Sequence, residues 1–291
     1  MKRDKSKIIQ IKGVELADVY YVTDCIYPAP AYNPELRLKW LYDLLSKAPN
    51  SLPRRKLVLE HSGAILNLYK YIFSNEKATT RRRLMDKNEI AKQIKKTFIK
   101  CKFEIPTRKT VIVVYPRFEK KKPVTGSVLV SNTLELFINT TKPWKRDLED
   151  VVAHEYFHVA YQGNFRTKDF FNPVVAEVMI DEGMAAYFSE KVVGYKEKKY
   201  EQMSSSRAKK LLKEIQHILH FKNNKKMVTE LNAGYGAYPE NTLHILGYHL
   251  AKAFVDDMPD MSWEAIAQIR PRTLFRLSWM VLMGNDPPEK L

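Results

Sequence analysis

Cysteine is scarce in this chain of 291 residues: only Cys25 and Cys101 occur, with no CxxC pair. Two thiols so far apart in sequence predict buried or idle side chains in a reducing cytoplasm rather than a disulfide framework. Long apolar runs are also missing. The strongest, residues 111–115, is of strand length, and the start of the chain is too charged for a signal peptide, so we expect no transmembrane segment and a cytoplasmic protein.

Acidic residues are outnumbered, with 49 Lys and Arg against 33 Asp and Glu, which gives a net charge of +16. The basic runs are scattered, as in Arg81-Arg82-Arg83 and Lys120-Lys121-Lys122, and no nucleic-acid fold motif accompanies them. One interpretation is that these basic residues lie on solvated helix faces and in loops. The other is electrostatic steering of an acidic peptide, a nucleic acid or an anionic lipid toward a cleft. Nucleic acid is therefore an alternative partner without motif support.

The chemical content is concentrated in the pentapeptide His154-Glu155-Tyr156-Phe157-His158. HExxH on a helix places two imidazoles one turn apart on one face, where both can bind a single Zn²⁺ with the glutamate beside the open position. Uncharged residues flank the motif, as a buried helix requires, and the sequence predicts a helix from about 143 to 162. The alternative is two core histidines that happen to bracket a glutamate. Burying these groups without a metal would cost several kcal/mol.

A third ligand must come from another element, and a second helix is predicted after Asn172-Pro173, read as N-cap and first helical residue. Glu182 interrupts its apolar stripe and is followed by the small residues Gly183, Ala185 and Ala186. These would let the helix pack close to the motif helix and bring the carboxylate to the metal. We therefore predict Glu182 as a ligand. Asp181 is either a partner of a ligand imidazole or a solvated neighbour, and two further glutamates, Glu177 and Glu190, are weaker ligand candidates.

The pair HEYFH and DEGMAAYF resembles the gluzincin branch of zinc metallopeptidases, and more narrowly a mostly bacterial family of predicted zinc-dependent proteases. Its landmarks are the HExxH helix, an EGxA helix and a later Gly-Tyr-bearing helix, here within 234–249, so the likeness covers roughly 105–257. The NExxxD pattern known for the helix of the third ligand is absent, because Ala186 stands at the position of its Asp. The resemblance implies one Zn²⁺ per chain and an oxyanion-stabilising residue, with Tyr248 the first choice. Three alternatives to Tyr248 remain open: Tyr238, His244 and His249.

The organisation along the chain predicts an α+β, zincin-like fold. A small, mostly antiparallel sheet precedes the HExxH helix, and the C-terminal half is mainly helical. Strands are predicted at 110–115, 127–130 and 134–138, with a turn at 123–126 and an edge strand for an extended peptide within 126–138. Residues 8–24 predict one or two strands, and helices are expected at 34–46, 57–73 and 87–100. We divide the chain into a mostly helical region, 1–104, and a catalytic domain, 105–291.

These features predict a zinc-dependent peptidase acting on a peptide or protein substrate. His154, His158 and Glu182 hold the metal, and Glu155 acts as general base. A regulatory protease with one protein substrate has the same chemistry, and a zinc hydrolase of a non-peptide amide is a lower-ranked alternative. An alternative of another class is a non-catalytic, metal-stabilised binding module whose basic surface contacts nucleic acid or membrane. The sequence predicts no oligomeric state.

Overall fold

The computed structural model describes residues 8–11, 14–21, 86–116, 122–130, 133–164, 173–222, 225–234 and 238–288. The chain forms two compact units: Met1–Lys96 with Arg108–Val152, and Thr97–Thr107 with Ala153–Leu291. Helices α1 (Lys87–Glu104) and α2 (Lys145–Asn164) each contribute residues to both units. The predicted domain boundary between residues 104 and 105 stays a prediction.

The described residues of the first unit form a five-stranded sheet, in the order β1-β2-β3-β5-β4 with the strands numbered along the chain. Its strands are β1 (Ile8–Ile11), β2 (Val14–Tyr21), β3 (Thr110–Pro116), β4 (Val124–Val130) and β5 (Thr133–Ile138). Four consecutive β-branched residues of the central strand, 111–114, are all buried. A continuous apolar run of this kind is typical of a strand covered on both faces. The strands predicted at 110–115, 127–130 and 134–138 are thus confirmed.

The pairing of the strands corrects one prediction. The α+β class is confirmed, but the sheet is mixed rather than mostly antiparallel: β1–β2 and β4–β5 are antiparallel, whereas β2–β3 and β3–β5 are parallel. Parallel neighbours need a long crossover, and the connection from β2 to β3 includes α1. The turn predicted at 123–126 is also wrong, because Val124 already pairs with Ile138. Among the described strands, β4 is an outer one, and its residues 126–130 belong to the segment expected to supply an edge.

The second unit is helical, as predicted for the C-terminal half. Besides parts of α1 and α2, its described helices are α3 (Val175–Val193), α4 (Ser205–Ile215), α5 (Lys225–Ala233), α6 (Thr242–Asp257), α7 (Trp263–Ile266) and α8 (Pro271–Met283). None of the helices in the described ranges combines the length and apolarity needed to cross a bilayer.

The helix after Asn172-Pro173 begins later than predicted, because Val174 is extended, forms a bridge with Lys222 and serves as the N-cap. Its N–H donates to the Glu177 side chain at 2.9 Å, which satisfies one exposed donor of the helix start. The helix predicted at 87–100 is confirmed as α1. Those predicted at 34–46 and 57–73 lie outside the described residues, as does Cys25, whereas Cys101 is buried as expected.

Candidate metal centre

Helix α2 carries the HExxH motif and is fixed by the two residues inside it. Tyr156 and Phe157 are fully buried. The Tyr156 hydroxyl donates to the carbonyl oxygen of Ile105, and Phe157 packs against Phe188 and Trp263 with ring centroids 5.6 and 6.2 Å away. Because Tyr156 is two positions from each histidine, its side chain points to the opposite side of the helix and leaves the histidine face free to meet α3. The predicted helix is confirmed, at Lys145–Asn164.

Helix α3 brings Glu182 to the two histidines. Oε2 of Glu182 lies 3.3 Å from Nε2 of His154 and 3.8 Å from Nε2 of His158, and the two nitrogens are 3.2 Å apart. In a tetrahedral zinc site with bonds of about 2.0–2.1 Å, ligand atoms lie about 3.3–3.4 Å from one another. The triangle therefore has the size of one face of such a site. Two imidazoles and a carboxylate are also a donor set that suits Zn²⁺.

Asp181 lies behind one of the imidazoles. Its Oδ1 is 3.1 Å from Nδ1 of His158, the nitrogen that faces away from the triangle. A carboxylate can only accept, so Nδ1 donates, and in the neutral imidazole Nε2 then presents its lone pair to the centre of the triangle. The contact agrees with the first of the two alternatives left open for Asp181, and the role of His158 as a metal ligand stays a prediction.

The two glutamates of the site have opposite electrostatic environments. Burial would raise the pKa of Glu182, but hydrogen bonds from His154, His158 and a third imidazole, that of His244, hold it well below its ordinary value. Glu155 is buried and its pKa is raised, because desolvation outweighs the attraction of the neighbouring histidines. One carboxyl is therefore kept ionised as a ligand requires, and the other is a better proton acceptor than an exposed glutamate.

Gly183 lets α3 approach another helix closely, but that helix is α6. A Cβ added at Gly183 would lie 2.0 Å from the carbonyl carbon and oxygen of Gly247, and one at Gly247 would lie 2.0 Å from the carbonyl oxygen of Met179. The prediction that the small residues after Glu182 serve close packing on the motif helix is therefore corrected for Gly183. Its partner could not be chosen from the sequence, although Gly247 is the one glycine of α6.

The crossing of α3 and α6 brings His244 to the site. Its Nε2 lies 3.3 Å from the same Oε2 of Glu182, and its Nδ1 lies 3.0 Å from Oδ1 of Asn232 on α5. His244 was one of four candidates for oxyanion stabilisation, and it is the one that contacts the triangle directly. The contact with Asn232 was not predicted, because residues twelve apart on two helices give no local signal of their approach.

The other candidates have different surroundings. The buried Tyr248 donates its hydroxyl to Glu190, two turns beyond Glu182 on α3, and its ring stacks on Tyr200 at 4.5 Å. His249 contacts the carbonyl oxygen of Met203 at 3.0 Å, and Tyr238 lies half-buried in the turn before α6. Glu190 and Glu177, the weaker ligand candidates, are engaged with Tyr248 and with the start of α3.

Comparison with known proteins identifies a family. A family model described as predicted Zn-dependent protease (DUF2268) matches residues 88–275, about two thirds of the chain and somewhat more than the resemblance had covered. The matched segment contains the triangle, Glu155, Asp181 and His244. No curated protein and no solved structure matches the chain.

Proposed function

Because the chain belongs to this family of predicted zinc-dependent proteases, we propose that it is a zinc peptidase that hydrolyses peptide bonds with Glu155 as general base. One observation carries the proposal: Nε2 of His154, Nε2 of His158 and a carboxylate oxygen of Glu182 all lie within 4.8 Å of one another. The substrate class, a peptide or protein, and the cytoplasmic location expected from the sequence are parts of the same proposal.

His154, His158 and Glu182 would hold one Zn²⁺ per chain. When bound, Zn²⁺ lowers the pKa of a coordinated water toward about 7 and polarises a substrate carbonyl. The chain's own contribution begins with orientation. Asp181 holds Nδ1 of His158 as a donor, so that Nε2 keeps its lone pair for the metal. The four-residue spacing keeps both histidines on the same helix face, and the buried side chains of Tyr156 and Phe157 anchor that helix.

Glu155 supplies the proton chemistry. Its buried carboxylate takes a proton from the attacking water as the water oxygen bonds to the carbonyl carbon. It then gives this proton to the amine nitrogen as the carbon–nitrogen bond breaks. The raised pKa of Glu155 suits both transfers, because it lies nearer the operating pH than that of an exposed glutamate.

Tyr248 remains a proposal for stabilising the oxyanion, by resemblance. Its hydroxyl donates a hydrogen bond to Glu190. To stabilise an oxyanion, the hydroxyl would have to leave Glu190 and donate to the oxyanion instead. Tyr248→Phe separates the two roles, because it removes the hydroxyl and retains the ring that stacks on Tyr200.

The test uses the full chain loaded with Zn²⁺, with zinc stoichiometry and hydrolysis of casein and of a fluorogenic peptide library measured together. Glu155→Gln should retain one zinc and lose hydrolysis, and Glu182→Ala should lose tight zinc binding. Unchanged zinc stoichiometry in Glu182→Ala would remove this residue from the ligand set. Strong, salt-dependent DNA or anionic-vesicle binding without hydrolysis would favour the non-catalytic module instead. Proteins trapped by Glu155→Gln would identify a dedicated substrate.

A further inference from the structure

A third imidazole shares the carboxylate oxygen that faces the HExxH histidines. Oε2 of Glu182 is 3.3 Å from Nε2 of His154 and also 3.3 Å from Nε2 of His244. His244 is outside the HExxH motif and lies in the first turn of α6. Among the described residues, the set whose ligand atoms lie within 4.8 Å of one another contains His154, His158 and Glu182 but not His244. His244 thus contacts a candidate ligand without joining the ligand triangle.

The other ring nitrogen of His244 is held by a turn of defined geometry. Nδ1 lies 3.0 Å from Oδ1 of Asn232, and the Asn232 carbonyl oxygen accepts the N–H of Asn241 at 2.9 Å. Asn241 has a φ of 63°, the one positive φ at a non-glycine residue in the part of the chain that the structure describes. Such a conformation persists only where surrounding contacts enforce it. The end of α5 and the start of α6 are therefore tied together where His244 projects toward Glu182.

We propose that His244 is a positioning residue for Glu182. With the Asn232 amide turned so that its NH₂ group donates to Nδ1, the other ring nitrogen, Nε2, carries the ring proton and donates it to Oε2. This contact fixes the orientation of the carboxylate toward His154 and His158. The inference rests on the proposed function, in which Glu182 is a zinc ligand. A carboxylate oxygen has two lone-pair directions, so Oε2 can accept from His244 and still face the metal.

The burial of His244 favours positioning over packing. Its side chain is 23% exposed, compared with 1% for Tyr248 one turn later on α6. Removing the His244 ring therefore deletes less buried volume than removing the Tyr248 ring would, and it leaves Oε2 without one of its donors. Replacing such an outer partner of a metal ligand typically weakens metal binding by about 10–100-fold.

The experiment measures zinc affinity by competition with a chelator, together with the visible spectrum of the Co²⁺-loaded protein. His244→Ala should bind zinc about 10–100-fold more weakly and alter the Co²⁺ spectrum, with its thermal unfolding close to that of the wild type. His244→Gln can place an amide N–H near the Nε2 position and should restore part of the affinity. Asn232→Ala, which releases Nδ1, should weaken binding in the same direction. The matched control is His217→Ala, an exposed histidine whose ring contacts the carbonyl oxygen of Glu214.

A double-mutant cycle with Glu182→Ala shows whether His244 acts through the ligand. If it does, His244→Ala causes no further loss in the Glu182→Ala background. Full additivity of the two losses would overturn the proposal, as would wild-type zinc affinity and an unchanged Co²⁺ spectrum in His244→Ala. Failure of the wild-type chain itself to bind zinc would overturn the proposed function and this inference together. Wild-type binding that depends on Glu182 but not on His244 would overturn this inference alone.

Discussion

Gly183→Ala should destabilise the protein and weaken its zinc site at the same time. The added Cβ would lie 2.0 Å from the carbonyl carbon and oxygen of Gly247, whereas ordinary van der Waals contact begins at 3.4 Å. The backbones of α3 and α6 must therefore separate by about 1.4 Å at this point, because no side-chain rotation can relieve a clash with backbone atoms. Overpacking of this kind costs about 1–3 kcal/mol, and we expect the upper end, about 3 kcal/mol.

The same separation of α3 and α6 would also affect Glu182, the residue before Gly183. Glu182 contacts His244 of α6 at 3.3 Å, and a shift of about 1.4 Å would take this pair beyond hydrogen-bonding distance. A loss of about 3 kcal/mol corresponds to a fall in melting temperature of about 6–12 °C for a protein of this size class. Because the clash exists without metal, the fall should appear both with excess zinc and with chelator.

The assay is calorimetry of Gly183→Ala, with zinc affinity measured on the same preparation. Gly163→Ala is the matched control: this glycine lies in α2, and an added Cβ would meet nothing within 4 Å. The control should melt at the wild-type temperature or slightly above it, because alanine favours the helix. A Gly183→Ala protein with the melting temperature and zinc affinity of the wild type would refute the argument from close helix packing.

Three further predictions concern the surroundings of the site. Asp181→Asn should lower zinc affinity by about 10–100-fold, measured by chelator competition, with little change in the fold; an unchanged affinity would show that the contact with His158 is incidental. Tyr248→Phe should lower stability by about 1.5–3 kcal/mol in denaturant unfolding, because Glu190 loses a buried donor; a large loss of kcat at unchanged stability would instead support the oxyanion role. Burial lowers the pKa of His158, but Asp181 and Glu182 outweigh it and raise this pKa well above its ordinary value, so zinc competes with a proton. Zinc affinity should therefore rise with pH until that raised pKa is passed, and titrations that show no pH dependence would contradict this.

Local periodicity accounts for the part of the site that could be predicted. His154 and His158 are four residues apart on a helix with uncharged flanks, so their common face follows from helix geometry alone. Glu182 could be predicted because a carboxylate in an otherwise buried helical stripe needs a partner. The central strand was recognisable from its run of β-branched residues at 111–114.

The remainder depends on which elements meet, and the sequence carries little of that information. The parallel pairing of β3 with β2 and β5 follows from long-range strand order. Its signs in the sequence are the apolar run of β3 and the helix α1 before it. Gly183 could be predicted to serve close packing, but its partner Gly247 lies 64 residues later in the sequence. The contact of His244 with Glu182 requires the crossing of α3 and α6, and its link to Asn232 also requires the turn at Asn241.

In the proposed mechanism, His154, His158 and Glu182 hold a zinc ion beside which Glu155 acts as base. The most direct measurement compares the wild-type chain with Glu155→Gln, with zinc content and hydrolysis of casein and a fluorogenic peptide library determined on the same samples. We predict one zinc per chain in both proteins and hydrolysis by the wild type alone. Full hydrolysis by Glu155→Gln, or a wild-type chain that binds no zinc, would contradict the account.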